Sequence, residues 1–157
     1  MTGKTQKQVV PYLTVSNANA AIAFYKKGLG GKEIQRMPAE DGKRLMHAEV
    51  EINGHALYLS DDFPEFSPGA SGGGRTPEKL GGTPVSIFMQ MTVPKEVDQW
   101  IARATKAGAK VTMPAADQFW GDRFGQITDP FGHSWSFGAP LPKPKKKPTA
   151  KKKAKRK

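Results

Sequence analysis

Two ionisable side chains, His47 and Glu49, stand two residues apart in a stretch whose other members, Met46, Ala48 and Val50, are apolar. Successive side chains of a strand point to opposite faces, so this spacing places the imidazole and the carboxylate on one face. Such a pair can act as a general base and its partner, or supply two ligands to a divalent metal at a rearranged site. The alternative is a solvated pair on an exposed strand, and the sequence leaves both open.

A second group of candidate residues comprises Trp120, Asp122 and Arg123, at the start of a predicted strand. The guanidinium could bind an anionic group of a ligand through two parallel hydrogen bonds, beside the aromatic plane of Trp120. Alternatively, Asp122 and Arg123 brace the turn that leads into the strand. His55 and His133 each follow the glycine of a predicted hairpin, and we interpret both as turn residues.

These residues belong to a chain that repeats itself at an offset of 78 residues, the difference between positions 30 and 108. Residues 10–15 align with 88–93, residues 30–32 with 108–110, and residues 53–55 with 131–133. A period this long that occurs only twice predicts two copies of a whole supersecondary module. A site in such a protein is expected between the two copies.

Each copy is predicted to fold as β-α-β-β-β. In the first copy we expect strands at 9–15, 32–37, 44–52 and 56–60, and a helix that begins after Asn17 or Asn19 and ends at Gly30. In the second copy we expect strands at 85–93, 110–113, 123–128 and 134–137, and a helix from Pro94 to Gly108 with Trp100 on its core face. The domain therefore spans residues 8–139, with module one at about 8–60, a linker or lid at 61–84 and module two at about 85–139.

The composition excludes several classes of chemistry. The chain of 157 residues has no cysteine, which rules out disulfides, thiolate metal sites and a cysteine nucleophile. No apolar run approaches the roughly 18 residues that a transmembrane helix needs. The first residues also lack the apolar stretch of a signal peptide, so a cytoplasmic location is expected.

The net charge of +11 is concentrated at the C-terminus. Residues 143–157 contain nine lysines, one arginine and no acidic residue, so the remaining 142 residues carry about +1.

A segment of this composition, residues 140–157, is expected to be disordered and to bind the phosphates of DNA, RNA or another polyanion without sequence specificity. The residues assigned to this contact are Lys145, Lys146, Lys147, Lys151, Lys152, Lys153, Lys155, Arg156 and Lys157. Alternatives are attachment to an anionic membrane and a passive, solubilising tail. If the segment binds DNA, nucleoid association follows.

Two motifs resemble a known family. Phe-Trp-Gly-Asp-Arg-Phe-Gly at 119–125, followed by Asp-Pro-Phe-Gly-His-Ser-Trp at 129–135, resembles the vicinal oxygen chelate superfamily, which includes glyoxalase I, bleomycin- and fosfomycin-resistance proteins and extradiol dioxygenases. Pro-Tyr-Leu-Thr-Val at 11–15 with Ala-Phe-Tyr at 23–25 is typical of its PhnB-like branch. The resemblance implies an α+β fold in which two tandem βαβββ modules form a curved mixed sheet around an open cavity. It also implies a homodimer, with the modules pairing either within one chain or across the dimer.

Catalytic members of that superfamily hold a divalent metal with His or Glu side chains from the first and last strand of each module. The resemblance assigns these positions to Val10, Tyr58, Phe88 and Ser136, none of which is a histidine or a carboxylate. Val and Phe cannot ligate, and Tyr and Ser are poor ligands at neutral pH. We therefore expect no cofactor, with a divalent metal at a rearranged site as the alternative.

Strand parity also identifies candidate ligand contacts. Residues with the parity of those four positions share the cavity face, which places Tyr12, Tyr58, Gln90 and Ser136 inward. Together with Trp120 and Arg123 they form the predicted small-molecule site, although a plain half-solvated sheet face fits the same pattern. The leading hypothesis is a metal-free, PhnB-like protein that binds a small molecule. The alternatives are a lyase, isomerase or dioxygenase that uses His47, Glu49 and Arg123, and an antibiotic-sequestering protein.

Overall fold

The structure is a computed structural model that describes residues 7–66 and 75–145. Module one contains β1 (Tyr12–Val15), α1 (Ala18–Gly28), β2 (Lys32–Pro38), β3 (Leu45–Ile52) and β4 (His55–Asp61). A 3-10 turn (Pro64–Phe66) and a short helix, α2 (Pro77–Leu80), follow. Module two contains β5 (Ser86–Gln90), α3 (Pro94–Lys106), β6 (Lys110–Asp117), β7 (Asp122–Thr128) and β8 (Ser134–Pro140). The predicted β-α-β-β-β order is confirmed in both modules.

Each module forms its own four-stranded mixed sheet. The strand orders are β1-β4-β3-β2 and β5-β8-β7-β6. In each sheet the first strand of the module runs parallel to the last, and the other neighbours are antiparallel. This arrangement confirms the predicted α+β fold of two tandem βαβββ modules, with sheets that are not closed into a barrel. Over the residues described, no helix has both the length and the apolar character needed to cross a membrane.

The helices begin where the sequence supplies caps. The side chain of Asn17 accepts a hydrogen bond from the amide of Ala20 at 2.9 Å, which satisfies one of the free amides at the start of α1. At the start of α3, the carboxylate of Glu96 accepts from the amides of Thr92 and Val93 at 2.8 and 3.1 Å. These caps fix the point at which each first strand turns into its helix.

Alternation along the strands builds the core. Leu13 and Val15 of β1 and Leu57 and Leu59 of β4 are buried, and α1 packs against this face of the sheet. In module two, a second buried set lies on the sheet face that α3 covers through β7 and β8: Met89, Ile127, Trp135 and Phe137. Trp100 packs against this core with its ring 6.4 Å from that of Phe137, as predicted. The opposite face of each sheet is the candidate functional surface.

A buried carboxylate joins the two modules. The hydroxyl of Tyr25 on α1 donates to Asp129 in the β7–β8 turn at 2.7 Å, and the indole of Trp135 donates to the same carboxylate oxygen at 3.0 Å. The other oxygen of Asp129 accepts from the amides of Phe131 and His133 at 2.9 and 3.0 Å. Asp129 therefore organises its own turn and anchors module one to module two.

The repeat is real, but its offset is not constant. Tyr12 lies opposite Tyr58 in module one, and Phe88 lies opposite Ser136 in module two. The counterpart of Phe88 is therefore Tyr12, an offset of 76, whereas β2 and β6 begin at residues 32 and 110, an offset of 78. The difference arises because α1 has 11 residues and α3 has 13. The assignment of Val10 as the counterpart of Phe88 rests on the uniform offset, and the strand pairing corrects it.

Strand β6 is longer than predicted. It continues past Met113 to Asp117, through Pro114, with two irregularities in its pairing to β7. Proline lacks an amide proton and is tolerated on an edge strand, and β6 lies at the edge of its sheet. The linker residues 67–74, with their glycine run, and residues 146–157 of the basic tail lie outside the described residues.

Candidate functional site

Three aromatic side chains cluster on the free face of module one. The hydroxyl of Tyr12 and Nδ1 of His47 form a hydrogen bond of 2.7 Å. The ring of Tyr58 lies 5.8 Å from that of Tyr12 and 5.0 Å from that of His47, with edge-to-face geometry in both pairs. Because β4 lies between β1 and β3, these residues from three adjacent strands form one continuous surface, which we call the polar face.

Glu49 lies on the polar face next to this cluster. It is half-buried and directly opposite Tyr58 in the β3–β4 pairing. The strand geometry therefore places His47 and Glu49 on one face, as their spacing predicts. The hydrogen-bond partner of His47, however, is Tyr12. Partial burial raises the pKa of Tyr12 above its usual value, so its hydroxyl is protonated at neutral pH.

The free face of module two carries a row of aromatic rings. Phe88 and Phe124 stack at a centroid distance of 6.4 Å and an interplanar angle of 13°. Trp120 packs edge-on against Phe124 at 5.8 Å, and Phe119 packs against Trp120 at 5.1 Å. Trp120 is half-exposed and Phe119 is 97% exposed. We call Phe88, Phe124, Trp120 and Phe119 the aromatic row.

A glycine makes room for the aromatic row. A Cβ atom on Gly138 would lie 2.9 Å from two ring atoms of Phe88 and 3.6 Å from Phe124. Contacts as short as 2.9 Å do not occur for real Cβ atoms, so any other residue at this position would displace the Phe88 ring. Gly138 therefore lets the ring of Phe88 lie close against β8, beside Phe124.

The two faces are chemically unlike at equivalent positions. Glu49 pairs with Tyr58 as Gln126 pairs with Ser136, so the strand pairing fixes which residues correspond. The polar-face residues Tyr12, His47, Glu49 and Tyr58 correspond to Phe88, Phe124, Gln126 and Ser136 of module two. At these positions the acid–base groups belong to module one, and module two offers flat apolar rings.

A cleft of about 380 Å³ lies between the modules. Of the polar face and the aromatic row, Phe88 is the member that lines it among the residues described. Pro11 and Ala56 line it from module one, and Phe88 and Gln90 line it from module two. Ala56 precedes Tyr58 by two residues on β4 and so shares its face. The volume lies within the range of small-molecule sites, roughly 300–1,000 Å³.

Gln90 and Ser136, both predicted to contact a ligand, have different surroundings. The amide nitrogen of Gln90 donates to the carbonyl oxygens of Met91 and Gly138, each at 3.1 Å, while its side chain lines the cleft. Ser136 is only 4% exposed, and its hydroxyl shares a hydrogen bond with that of Ser86. Gln90 is therefore available to a ligand, and Ser136 lies below the surface.

Arg123 lies on the helix-facing side of module two. Its guanidinium donates to both carboxylate oxygens of Asp98 on α3 at 2.6 and 2.7 Å and to Asp117 on β6 at 2.9 Å. Its neighbour Phe124 points to the opposite face. This geometry supports the brace interpretation and separates Arg123 from the aromatic row. Asp122 accepts a hydrogen bond from the Trp120 indole at 3.2 Å, which orients that ring.

The histidines of the hairpins have the turn positions predicted for them. His133 reaches the carbonyl oxygen of Thr14 with Nε2 at 2.9 Å, linking the β7–β8 turn to β1. His55 follows its turn as the exposed first residue of β4, and it also lines the cleft between the modules.

The family's metal does not fit the residues at the implied positions. The first and last strands of the modules present Tyr12 opposite Tyr58 and Phe88 opposite Ser136, which offer three hydroxyl groups and an apolar ring. Zinc and related ions prefer imidazole, thiolate and carboxylate ligands. Within residues 7–66 and 75–145, no group of three or more His, Cys, Asp and Glu side chains could hold a metal ion.

Sequence reasoning missed Phe124 and the contact of Tyr12 with His47. Phe124 has the parity of Gln126 and could have been found from the alternation along β7. The Tyr12–His47 contact depends on the register of three strands, and the sequence carries no direct signal for it.

Comparisons with known proteins agree on the fold. The model of the Glyoxalase/Bleomycin resistance protein/Dioxygenase superfamily matches residues 6–137. Protein Mb0911c of Mycobacterium bovis is 47% identical over 131 residues, covering 83% of this chain and 82% of the relative. The structure of PA1353 from Pseudomonas aeruginosa superimposes with a TM-score of 0.66 at 27% identity, covering 87% of this chain and all of that one. The PhnB protein of Bacillus cereus has the same fold, with a TM-score of 0.62 at 17% identity and coverage of 87% and 100%.

Proposed function

Because the chain belongs to the glyoxalase/bleomycin resistance protein/dioxygenase superfamily, we propose that it is a PhnB-like member that binds a small organic molecule in the cleft between its modules. The family's divalent metal is not part of this proposal, since the four implied positions lack a histidine or a carboxylate. The binding unit is a homodimer, in which contacts between the two chains bury aromatic side chains that are exposed in a single chain.

The observation that carries the proposal is the chemical difference between the two faces. A planar apolar part of a ligand finds Phe88, Phe124 and Trp120, which can stack with it. A hydrogen-bonding part finds the hydroxyl of Tyr12 and the edge of His47. Few polar groups among many apolar ones is the usual composition of a small-molecule site. The ligand class is therefore an aromatic ring that carries a polar substituent.

Native mass spectrometry of the full chain purified from cells tests this proposal. We expect a dimer that retains an organic adduct without a stoichiometric metal ion. The adduct should be lost in Phe124→Ala and kept in the control Phe66→Ala, which removes an exposed phenylalanine outside both faces. Stoichiometric zinc, nickel or manganese, or an adduct that survives Phe124→Ala, would contradict the proposal.

A second function is proposed for the basic tail. Residues 143–157 hold ten of the eleven excess positive charges, which supports association with DNA, RNA or another polyanion through phosphate contacts. The amide of Leu141 donates to the carbonyl of Gly121 at 2.8 Å, so the chain is held to the β6–β7 turn just before this segment begins. Nucleoid association in a bacterial cytoplasm is the corresponding location.

A chain that ends at Pro142 tests the tail. Retention of duplex DNA should be lost in the shortened protein, while its folding and ligand binding are kept. If six to eight charges engage phosphates, the affinity of the full chain should fall with salt with a log–log slope of about −5 to −7. Unchanged DNA retention after truncation would refute the role of the tail.

A further inference from the structure

The hydrogen bond between Tyr12 and His47 lies at the open surface of the polar face. Tyr12 is 54% exposed, and the imidazole of His47 lies behind it and is less exposed. The two atoms joined at 2.7 Å are both able to gain and lose a proton. A ligand on this face therefore meets the Tyr12 oxygen first, and His47 through it.

We propose that Tyr12 and His47 form a proton relay that accepts the proton of a weakly acidic hydroxyl group, of the phenol or enol kind, on the bound molecule. This inference rests on the proposed small-molecule site and names the chemical group that the site recognises. It requires no metal, oxidant or further reactant.

The proposed step is a double proton transfer. The O–H bond of the ligand breaks, and its proton binds to the oxygen of Tyr12. At the same time the proton of Tyr12 moves to Nδ1 of His47. The ligand becomes an oxyanion, His47 becomes an imidazolium ion, and Tyr12 ends as it began, a neutral phenol that donates a hydrogen bond to the new anion.

The surroundings support each partner in its role. The raised pKa of Tyr12 keeps it a neutral phenol at rest, which is the form that a relay requires. Glu49 follows His47 by two residues on the same face, about 7 Å along the strand. The Tyr58 ring lies beside the imidazole at a centroid distance of 5.0 Å, with edge-to-face geometry. The β2 residues paired with His47 and Glu49 are Met37 and Gln35, neither of which carries a charge.

The aromatic row explains why the hydroxyl would belong to a ring system. A ligand ring stacked on Phe88, which lines the cleft, would leave its edge substituents free to form hydrogen bonds.

The test uses 4-nitrophenol, whose absorption moves to longer wavelength when its hydroxyl ionises. The bound probe should be more ionised than the free probe at the same pH with the wild-type full chain. Tyr12→Phe and His47→Gln should reduce the phenolate-to-phenol ratio of the bound probe about tenfold, as expected for a lost charge-assisted hydrogen bond. The control Phe66→Ala removes an exposed ring outside both faces and should leave the ratio unchanged.

Different outcomes identify which proposal fails. If the probe binds without increased ionisation and Phe124→Ala weakens its binding, the relay is wrong and the ligand site stands. If saturable binding is absent, or is unaffected by Phe124→Ala, the ligand site is wrong and the relay falls with it. Nitrogen-15 NMR of the wild-type protein gives a check without any probe. The relay requires that Nδ1 of His47 accept and Nε2 carry the proton, and a proton found on Nδ1 would overturn it.

Discussion

Phe88 occupies in module two the position that Tyr12 occupies in module one. Each lies on the first strand of its module, opposite the equivalent residue of the last strand. The two modules have the same fold, yet they place a phenol bonded to an imidazole at one position and a stacked apolar ring at the other. The repeated module thus presents two surfaces of different chemistry at equivalent positions.

Gly138→Ala should disturb the aromatic row without unfolding the protein. The new methyl group would lie 2.9 Å from the Phe88 ring, which must move away from Phe124. We expect about tenfold weaker binding of 4-nitrophenol. Calorimetric titration measures the affinity, and Gly54→Ala is the stability control, because its Cβ meets nothing within 4 Å although its positive φ adds strain. Equal affinity in wild-type and Gly138→Ala proteins would remove the row from the binding site.

Tyr25→Phe should lower the free energy of unfolding by about 1–3 kcal/mol, because it removes a buried hydrogen bond to the charged carboxylate of Asp129. Urea unfolding followed by circular dichroism measures the change. The matched control is Tyr58→Phe, which removes a hydroxyl from the half-buried polar face and should have little effect. Similar losses in both variants would show that the contact between Tyr25 and Asp129 is not what joins the modules.

Alkaline pH should destabilise the wild-type protein through the same residue. Burial, with the neighbouring Asp129, raises the pKa of Tyr25 well above its usual value of 10.0. The unfolded chain therefore loses this proton at a lower pH than the folded chain, and stability falls as the pH rises above about 10. Melting temperatures should fall more steeply above this pH in the wild type than in Tyr25→Phe. Parallel curves would contradict the assignment.

Arg123→Gln separates the brace from an anion site. The substitution breaks the ion pairs with Asp98 and Asp117, and we expect the melting temperature to fall by about 2–4 °C. Probe binding should stay within twofold of wild type, because Arg123 faces α3. A large loss of binding with an unchanged melting temperature would restore Arg123 to the ligand site.

Much of the fold could be predicted from the sequence, because local signals agree with each other. Asn17 caps a helix, Asn53-Gly54 turns a hairpin, and Pro94 starts a helix, each by local chemistry. The repeat then shows that these signals occur twice. The uniform offset was wrong for the first strands, because α3 has two more residues than α1.

The site was less predictable because it depends on register across strands. Parity placed Tyr12, Tyr58 and His47 on suitable faces, but their contact requires β4 to lie between β1 and β3. Parity could also have placed Arg123 away from the cavity, since Ser136 pairs with Gln126, an odd number of residues further along β7.

The most direct measurement for the account as a whole is NMR of the full chain with bound 4-nitrophenol, observing intermolecular nuclear Overhauser effects. The account predicts contacts from the ring protons of the probe to Phe88 and Phe124, and from the protons beside its hydroxyl to Tyr12. Contacts confined to one module, or to residues outside the cleft, would contradict a site built from two unlike faces.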